Sequence, residues 1–466
     1  MTDRLRPGRV HRRAWIAAPA ALGLATVLVA GCGSSPNAAG NSSGSGPTNG
    51  SGAATSHNTI DIVLWESHTG KTNPVAITEQ NIVNKFNASQ RGVHVSILET
   101  SGTTKGLAAA QAGNPPVLAE VSHYDGQFRR GGFIIDQNPL IYGPGGFTKA
   151  QVSSFFPGVI ANGRIPQKIA NGQPAPGKQY RLAAGVKVSE LFYNTSMFSR
   201  AGITSCPATW TALGQDLVKL KALGVTPMGF KDSSAHIEPA FISNGGSLYK
   251  PGTHQTQTEY DSPAGVTTFT QFRDWYSHKL FVFSHGTPMR AAIANKTLAI
   301  EDGTSAGWVK AFEIAKSAGV HIGACPYPNG TSGHSGNIIQ GLGFVIFTHH
   351  TKAQQEAAFD FEQFWESPAI QAYWAQGSGF APATRAAVAE IPSSYLSGAG
   401  AGLAVSIQEL NSPYAQPRGQ SDNYAEVDSA VDAAFFNAVT GKISVRAALA
   451  QLDKVDAGYL KGSTKI

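Results

Sequence analysis

The sequence is short of cysteine, with three in 466 residues, at positions 32, 206 and 325. No His/Cys group has the spacing of metal ligands, and the adjacent His349-His350 suit neither one helix face nor a chelating pair on a strand. No metal and no cofactor are therefore expected. No stripe of Lys and Arg interleaved with aromatics occurs, which argues against a nucleic-acid reader. No short fixed-period repeat is present. The glycine-rich stretch 330–336 lacks the Gly-Lys-Ser/Thr ending of a phosphate-binding loop. The apolar run at 14–30 is shorter than the roughly 20 residues a spanning helix needs.

What is present begins with an export signal. Arg4, Arg6, Arg9, Arg12 and Arg13 precede the apolar run, which ends in Leu28-Val29-Ala30-Gly31-Cys32, similar to a bacterial lipobox. Residues 1–31 are expected to be a lipoprotein signal, and Cys32 the acceptor of a lipid that holds the protein at the outer face of the cytoplasmic membrane. Arg12-Arg13 before Trp15 and Ile16 is similar to a twin-arginine signal, so either export route is open. Residues 32–58, rich in Gly, Ser, Asn and Thr, cannot bury enough surface to offset their ordering entropy and should be a tether. Of the formal charge of +6, residues 1–31 supply five arginines and one aspartate, a net four, leaving +2. The basic isoelectric point therefore says little about a partner. Outside the cytoplasm, Cys206 and Cys325 have one possible connectivity, but spacing does not decide whether the sulfurs meet.

From residue 59 onward strands and helices alternate. Ile60, Ile62 and Leu64 predict a strand at 59–65, and Ile77, Ile82, Val83 and Phe86 a helix at 74–87. Val93, Val95 and Ile97 mark a second strand, 117–121 a third, and 127–131 a short helix. Strand-like runs at 180–184 and 190–193 flank Gly185. A strand at 297–300, a helix at 306–317 and a strand at 320–324 follow. The C-terminal part turns helical, at 352–365, 368–374, 424–439 and 445–460. The alternation predicts an α/β class with largely parallel sheets.

A series of short motifs adds to this: Leu64-Trp65-Glu66-Ser67-His68-Thr69-Gly70, Gly113-Asn114-Pro115-Pro116-Val117, Leu191-Phe192-Tyr193-Asn194 and Pro207-Ala208-Thr209-Trp210. Asn244-Gly245-Gly246, Gly377-Ser378-Gly379-Phe380-Ala381-Pro382 and Thr440-Gly441-Lys442 complete it. In this order the chain resembles the family 1 extracellular solute-binding proteins of ABC importers, which include maltose- and glycerol-3-phosphate-binding proteins. The resemblance covers nearly all of 59–460. It implies a two-lobed periplasmic-binding-protein-like fold, two mostly parallel sheets joined by a multi-segment hinge. Lobe 1 would be 59–184 with 328–376, and lobe 2 would be 185–327 with 377–466. The hinge crossings would fall near 184–186, 325–328 and 377–380, where Gly and Pro interrupt the pattern. The implied partners are a small-molecule solute of sugar, polyol or glycerophosphate type and the membrane permease subunits, with the protein itself a monomer.

The resemblance also implies contact positions. Trp65 and Glu66 follow the first strand, where open α/β sheets place ligands. His123 and Tyr124 follow the third strand, with histidine where relatives carry an acid. Lys187 lies just past the first crossing and would pair with an anionic group. Ser234 and His236 precede Asn244-Gly245-Gly246. Thr304 and Ser305 open a helix whose N–H groups favour oxygen-rich ligands. Gln340 and Gly341 lie on the strand returning to the first lobe. Phe380 stands where glycerol-phosphate binders have tyrosine. Asp428 stands where they have arginine, and it would repel phosphate, accept sugar hydroxyls or pair with Lys187. Arg418 is the substitute cation.

Two other classes stay in play. Gly303-Thr304-Ser305-Ala306-Gly307 matches the G-x-S-x-G nucleophile elbow, but no downstream acid and base stand out, and the preceding strand ends in Glu301-Asp302. A surface hydrolase would use Ser305 or paired carboxylates. An adhesion lipoprotein would use neither.

Overall fold

The computed structural model describes residues 59–122, 125–168, 174–284 and 286–463. The expected signal, Cys32, the tether, and His123 with Tyr124 lie outside the described residues.

Among the described residues the strands are β1 (Ile60–Glu66), β2 (Val93–Glu99), β3 (Leu118–Val121), β4 (Arg164–Lys168), β5 (Pro174–Gln179), β6 (Leu182–Lys187) and β7 (Ser189–Asn194). They continue as β8 (Thr226–Phe230), β9 (Phe281–Phe283), β10 (Leu298–Thr304), β11 (Ile322–Pro326), β12 (Ile338–Ile346) and β13 (Gln416–Pro417). One sheet runs β13-β12-β3-β1-β2, with β6 also on β12. A second runs β11-β7-β10-β8-β9, and β4 and β5 form a separate ribbon. β1 pairs in parallel with β2 and β3, and β10 with β8, as the alternation predicts. β12 is antiparallel to β3 and β6, and β7 to β10 and β11, so each sheet is mixed where the chain passes between them.

In the first sheet Ile62 and Leu64 are buried while Asp61 and Val63 are not, the period-two signature of a strand with one covered face. The covering helix Pro74–Ser89 starts where Asn73 accepts from Val75 N at 3.2 Å and Pro74 presets the first turn. It buries Ile82, Val83 and Phe86 on one face. Helix Lys352–Trp365 adds Phe361 and Trp365 to the same core, which also contains Trp374 and Phe380. Each such side chain is worth roughly 1.5–3 kcal/mol when fully buried. The second sheet has its own core, in which Phe230, Phe269, Phe272 and Phe435 pack with tilted or edge-on rings. Cys206 and Cys325 are joined in a disulfide, with Cα atoms 5.6 Å apart, tying the loop before Trp210 to β11.

The passage between sheets is where the sequence pattern under-reads the fold. Gly185 was expected to break the strand. Instead β6 continues through it to Lys187, and the chain enters β7 at Ser189. The glycine permits contact rather than ending the strand: a Cβ there would lie 2.8 Å from Trp374 Nε1 and 2.9 Å from the Phe380 ring. Opposite, Gly341 has φ +147°, and a Cβ on it would meet the Gly185 carbonyl oxygen at 2.0 Å. A third segment joins here, with Ala381 N donating to Val186 O at 2.7 Å. The joint is fastened by Asn337 and Gln340, which donate to Ser189 O at 3.0 Å and Ser189 Oγ at 3.1 Å.

Candidate ligand-binding site

Three groups of polar side chains meet around this joint. The first belongs to the first sheet. Glu66 is the last residue of β1, His68 lies two residues on, Glu79 comes from helix Pro74–Ser89 and Glu120 from β3. His68 Nδ1 lies 3.4 Å from an oxygen of each carboxylate. Glu66 also accepts the backbone N–H of His68. Burial raises Glu79 and Glu120 well above the usual carboxylate range, with repulsion from Glu66 adding to Glu79 and repulsion from Glu79 adding to Glu120. Burial opposes charge on His68, but Glu120 and Glu66 outweigh it and the imidazole is raised. The four residues come from separate parts of the chain, so no spacing in the sequence brings them together.

The second group is Lys187 alone, at the end of the crossing strand. It has no ion-pair partner among the described residues. Burial, then the like charges of Lys231 and Arg418, pull it down to about 8. It is felt by His68 on one side and His236 on the other, both of whose charged forms it disfavours.

The third group belongs to the second sheet. β10 carries buried Glu301 and Asp302 at its middle, and Asp302 accepts from Lys231 N at 3.0 Å. His236 Nδ1 lies 2.7 Å from Asp302 Oδ1 and 3.1 Å from the Tyr327 hydroxyl, which itself donates to Asp302. Burial lowers His236, with Lys231 and Lys187 acting in the same direction against Asp302. Arg418 donates to Ser234 Oγ at 2.8 Å and to Asp428 Oδ1 at 2.6 Å, and lies 3.9 Å from Glu238. Asp428 thus pairs with Arg418 and not with Lys187, correcting the alternative raised for it. Arg418, expected as the substitute cation, is held by Ser234 and Asp428.

Several expected contact residues also serve the packing around the joint. Phe380 is 3% exposed, stacks on Trp374 with centroids 5.5 Å apart, and meets the His68 ring in a T-shaped contact at 6.1 Å. Its ring supports the joint, because Gly185 leaves it room. Gly341 serves strand approach, as above. Trp65 is half-buried and packs against the cluster containing Phe128 and Phe347. Thr304 and Ser305 do open a helix, Ser305–Ser317, but Ser305 is fully buried and its Oγ has no hydrogen-bond partner. Glu66, Lys187, Ser234, His236 and Asp428 belong to the polar groups around the joint.

Lys231, Asp302, Tyr327, Glu238, Glu79 and Glu120 were not foreseen. The acids carried a signal: Glu79 keeps helical phase with Ile82, Val83 and Phe86, and Glu120 interrupts a buried apolar strand. Beside the joint a cleft of about 350 Å³ is bordered by Thr69 and Asn73 from one side and by Arg290 and Lys310 from the other.

Two sheets with separate cores, joined by crossing segments that carry polar groups from both sides, define a two-lobed solute-binding protein. Residues 81–395, more than half of the chain, match the family of bacterial extracellular solute-binding proteins. The chain belongs to that family. It is 24% identical over 352 residues, 71% of this chain and 76% of the relative, to the sn-glycerol-3-phosphate-binding periplasmic protein UgpB of Rhizobium meliloti. Among solved structures it is similar to the cyclic alpha-maltosyl-1,6-maltose binding protein of Arthrobacter globiformis. The TM-score is 0.71 at 18% identity, covering 86% of this chain and 99% of that one. It is equally similar, at TM-score 0.71 and 16% identity over the same shares, to UgpB of Mycobacterium tuberculosis in complex with glycerophosphocholine. No helix among the described residues is long and apolar enough to cross a membrane.

Proposed function

We propose that this protein is the solute-capturing lipoprotein of an ABC importer, anchored through Cys32 and delivering to membrane permease subunits. Within the sugar, polyol and glycerophosphate class, the solute we assign is an anionic polyol of glycerophosphate type. The observation that carries the charge assignment is Lys187. It is a lysine at the joint with no ion-pair partner among the described residues, and its charge is opposed by burial and by two further cations. An anion placed there would relieve that repulsion. Lys231 and the helix start at Ser305 offer further donors on the second-lobe side. The division into lobes is proposed as expected, with the first crossing moved to Val188, between β6 and β7.

No enzyme role is proposed, because Ser305 has no base within hydrogen-bonding reach. The test is a thermal-shift screen of the full chain against neutral sugars, polyols, glycerol phosphates and glycerophosphodiesters. A ligand at one hundred times its dissociation constant should add about 2.7 kcal/mol. Stabilisation by neutral sugars alone would defeat the charge assignment, and silence across the panel would defeat the solute class.

A further inference from the structure

The four side chains around His68 are placed as ligands are. Five of their polar atoms, His68 Nδ1 and both carboxylate oxygens of Glu79 and of Glu120, are buried without a hydrogen-bond partner. Glu79 and Glu120 are 0% and 1% exposed. One potential ligand atom from each of the four residues lies within 4.8 Å of every other. The 3.4 Å separations from His68 Nδ1 match the edge of a tetrahedron whose metal–ligand bonds are ~2.0–2.2 Å, an edge of about 3.3–3.6 Å. Three carboxylates face one imidazole, so with all three ionised even a protonated His68 leaves an excess of negative charge away from water. Such charge is tolerated when paired or when coordinating a metal.

We propose that Glu66, His68, Glu79 and Glu120 form a divalent-cation site in the first lobe, selective for a transition dication of the Zn²⁺ or Mn²⁺ class. The imidazole nitrogen favours that class over Ca²⁺ and Mg²⁺, which take oxygen ligands. The ion would tie the end of β1, helix Pro74–Ser89 and β3 to one point. His68, with its side chain 18% exposed, is the member that meets solvent and marks the route of entry. The competing way to neutralise the cluster is with protons, and it predicts no stoichiometric ion. The inference goes beyond the solute-binding reading and does not depend on it, since every measurement is made without solute.

The experiment uses the full chain, untagged and stripped with EDTA. It is titrated by calorimetry and thermal shift with Zn²⁺, Mn²⁺, Ca²⁺ and Mg²⁺ in turn. One equivalent of Zn²⁺ or Mn²⁺ is expected, with a rise in melting temperature that EDTA reverses. Glu79→Gln and Glu120→Gln should weaken binding roughly tenfold or more, given that even the partners of metal ligands are worth 10–100-fold. Both substitutions keep side-chain shape and remove a buried charge, so the stripped variants should melt no lower than the stripped parent. Should either fail to fold, X-ray absorption of the zinc-loaded parent gives an independent reading, expected to show imidazole and oxygen ligands only. No stoichiometric Zn²⁺ or Mn²⁺, a preference for Ca²⁺ or Mg²⁺, binding undiminished in both variants, or a fully hydrated ion in the absorption spectrum would each overturn the proposal.

Discussion

Arg418 donates from Nη2 to Asp428 Oδ1 at 2.6 Å, and both side chains are 4% exposed. The same guanidinium lies 3.9 Å from Glu238, which accepts from Tyr260 at 2.8 Å and from Tyr424 at 2.7 Å, and it sits over the Tyr424 ring. Burial pushes Glu238 up to about 7 even with Arg418 beside it. Removing the cation would take the nearest positive charge from two buried acids, and breaking a buried pair in this way typically costs about 3–5 kcal/mol. Arg418→Met should therefore lower the urea midpoint sharply while changing little of the side-chain volume. A loss below about 1 kcal/mol would mean the pair is not held as described.

Lys187 gives a pH dependence of definite sign. Its pKa is about 8 against an ordinary 10.5, so between those values the unfolded chain binds more protons than the folded one. This group's contribution to stability therefore rises with pH across that window. Binding of an anion runs the other way, because the charge it needs is lost above about pH 8. Affinity for a glycerophosphate-type solute should fall as pH rises from 7 to 9.5, while that for a neutral polyol stays level. In Lys187→Met both slopes should flatten. Calorimetry at several pH values and urea denaturation of both proteins read the two effects, and an unchanged affinity slope in the variant would remove Lys187 from the ligand.

Why these groups were only partly legible follows from how each is encoded. The strand at Ile60, Ile62 and Leu64 and the helix through Ile82, Val83 and Phe86 announce themselves by period, and their limits are met within two residues. β6 does not, because Gly185 divides its apolar run, and β12, where the sequence places only Gln340 and Gly341 on a strand, carries glycines at 341 and 343. Their strand conformation comes from pairing with each other, and their glycines are what lets the backbones and the Trp374 and Phe380 rings approach. In the site, Trp65 and Glu66 could be proposed because open sheets place ligands at strand ends, and Lys187 through the resemblance to solute-binding proteins. The pairing of Arg418 with Asp428 could not, since it depends on how the chain turns between β13 and helix Tyr424–Val439. The cluster around His68 was hidden for the opposite reason: Glu79 and Glu120 sit in phase with core residues, where a carboxylate is easily passed over as an interruption.

The disulfide bears on both lobe stability and compartment. Cys206 and Cys325 are 119 residues apart, so the bond closes a long loop of the unfolded chain. Such a crosslink typically contributes about 2–4 kcal/mol. Reduction, or replacement of both cysteines by alanine, should lower the unfolding free energy by that amount, read from denaturation curves, with solute binding retained in the folded fraction, because neither sulfur is among the polar groups at the joint. Equal stability of the reduced and oxidised protein would show that the bond adds nothing to the second lobe.

Ser305 separates binding from catalysis. An elbow serine must present its hydroxyl to substrate and to a base, whereas Ser305 is fully buried at the first turn of its helix with an Oγ that has no partner. A buried hydroxyl left unbonded costs about 1–3 kcal/mol, so removing it should be neutral or mildly stabilising. Ser305→Ala is expected to melt at or above the parent. Neither protein should release product from glycerophosphodiesters or activated esters during long incubation. Turnover in the parent that the alanine variant lacks would restore the hydrolase reading. Turnover equal in both would point instead to carboxylates. If neither protein turns over substrate and the variant loses solute affinity, the Ser305 hydroxyl belongs to the solute-binding surface.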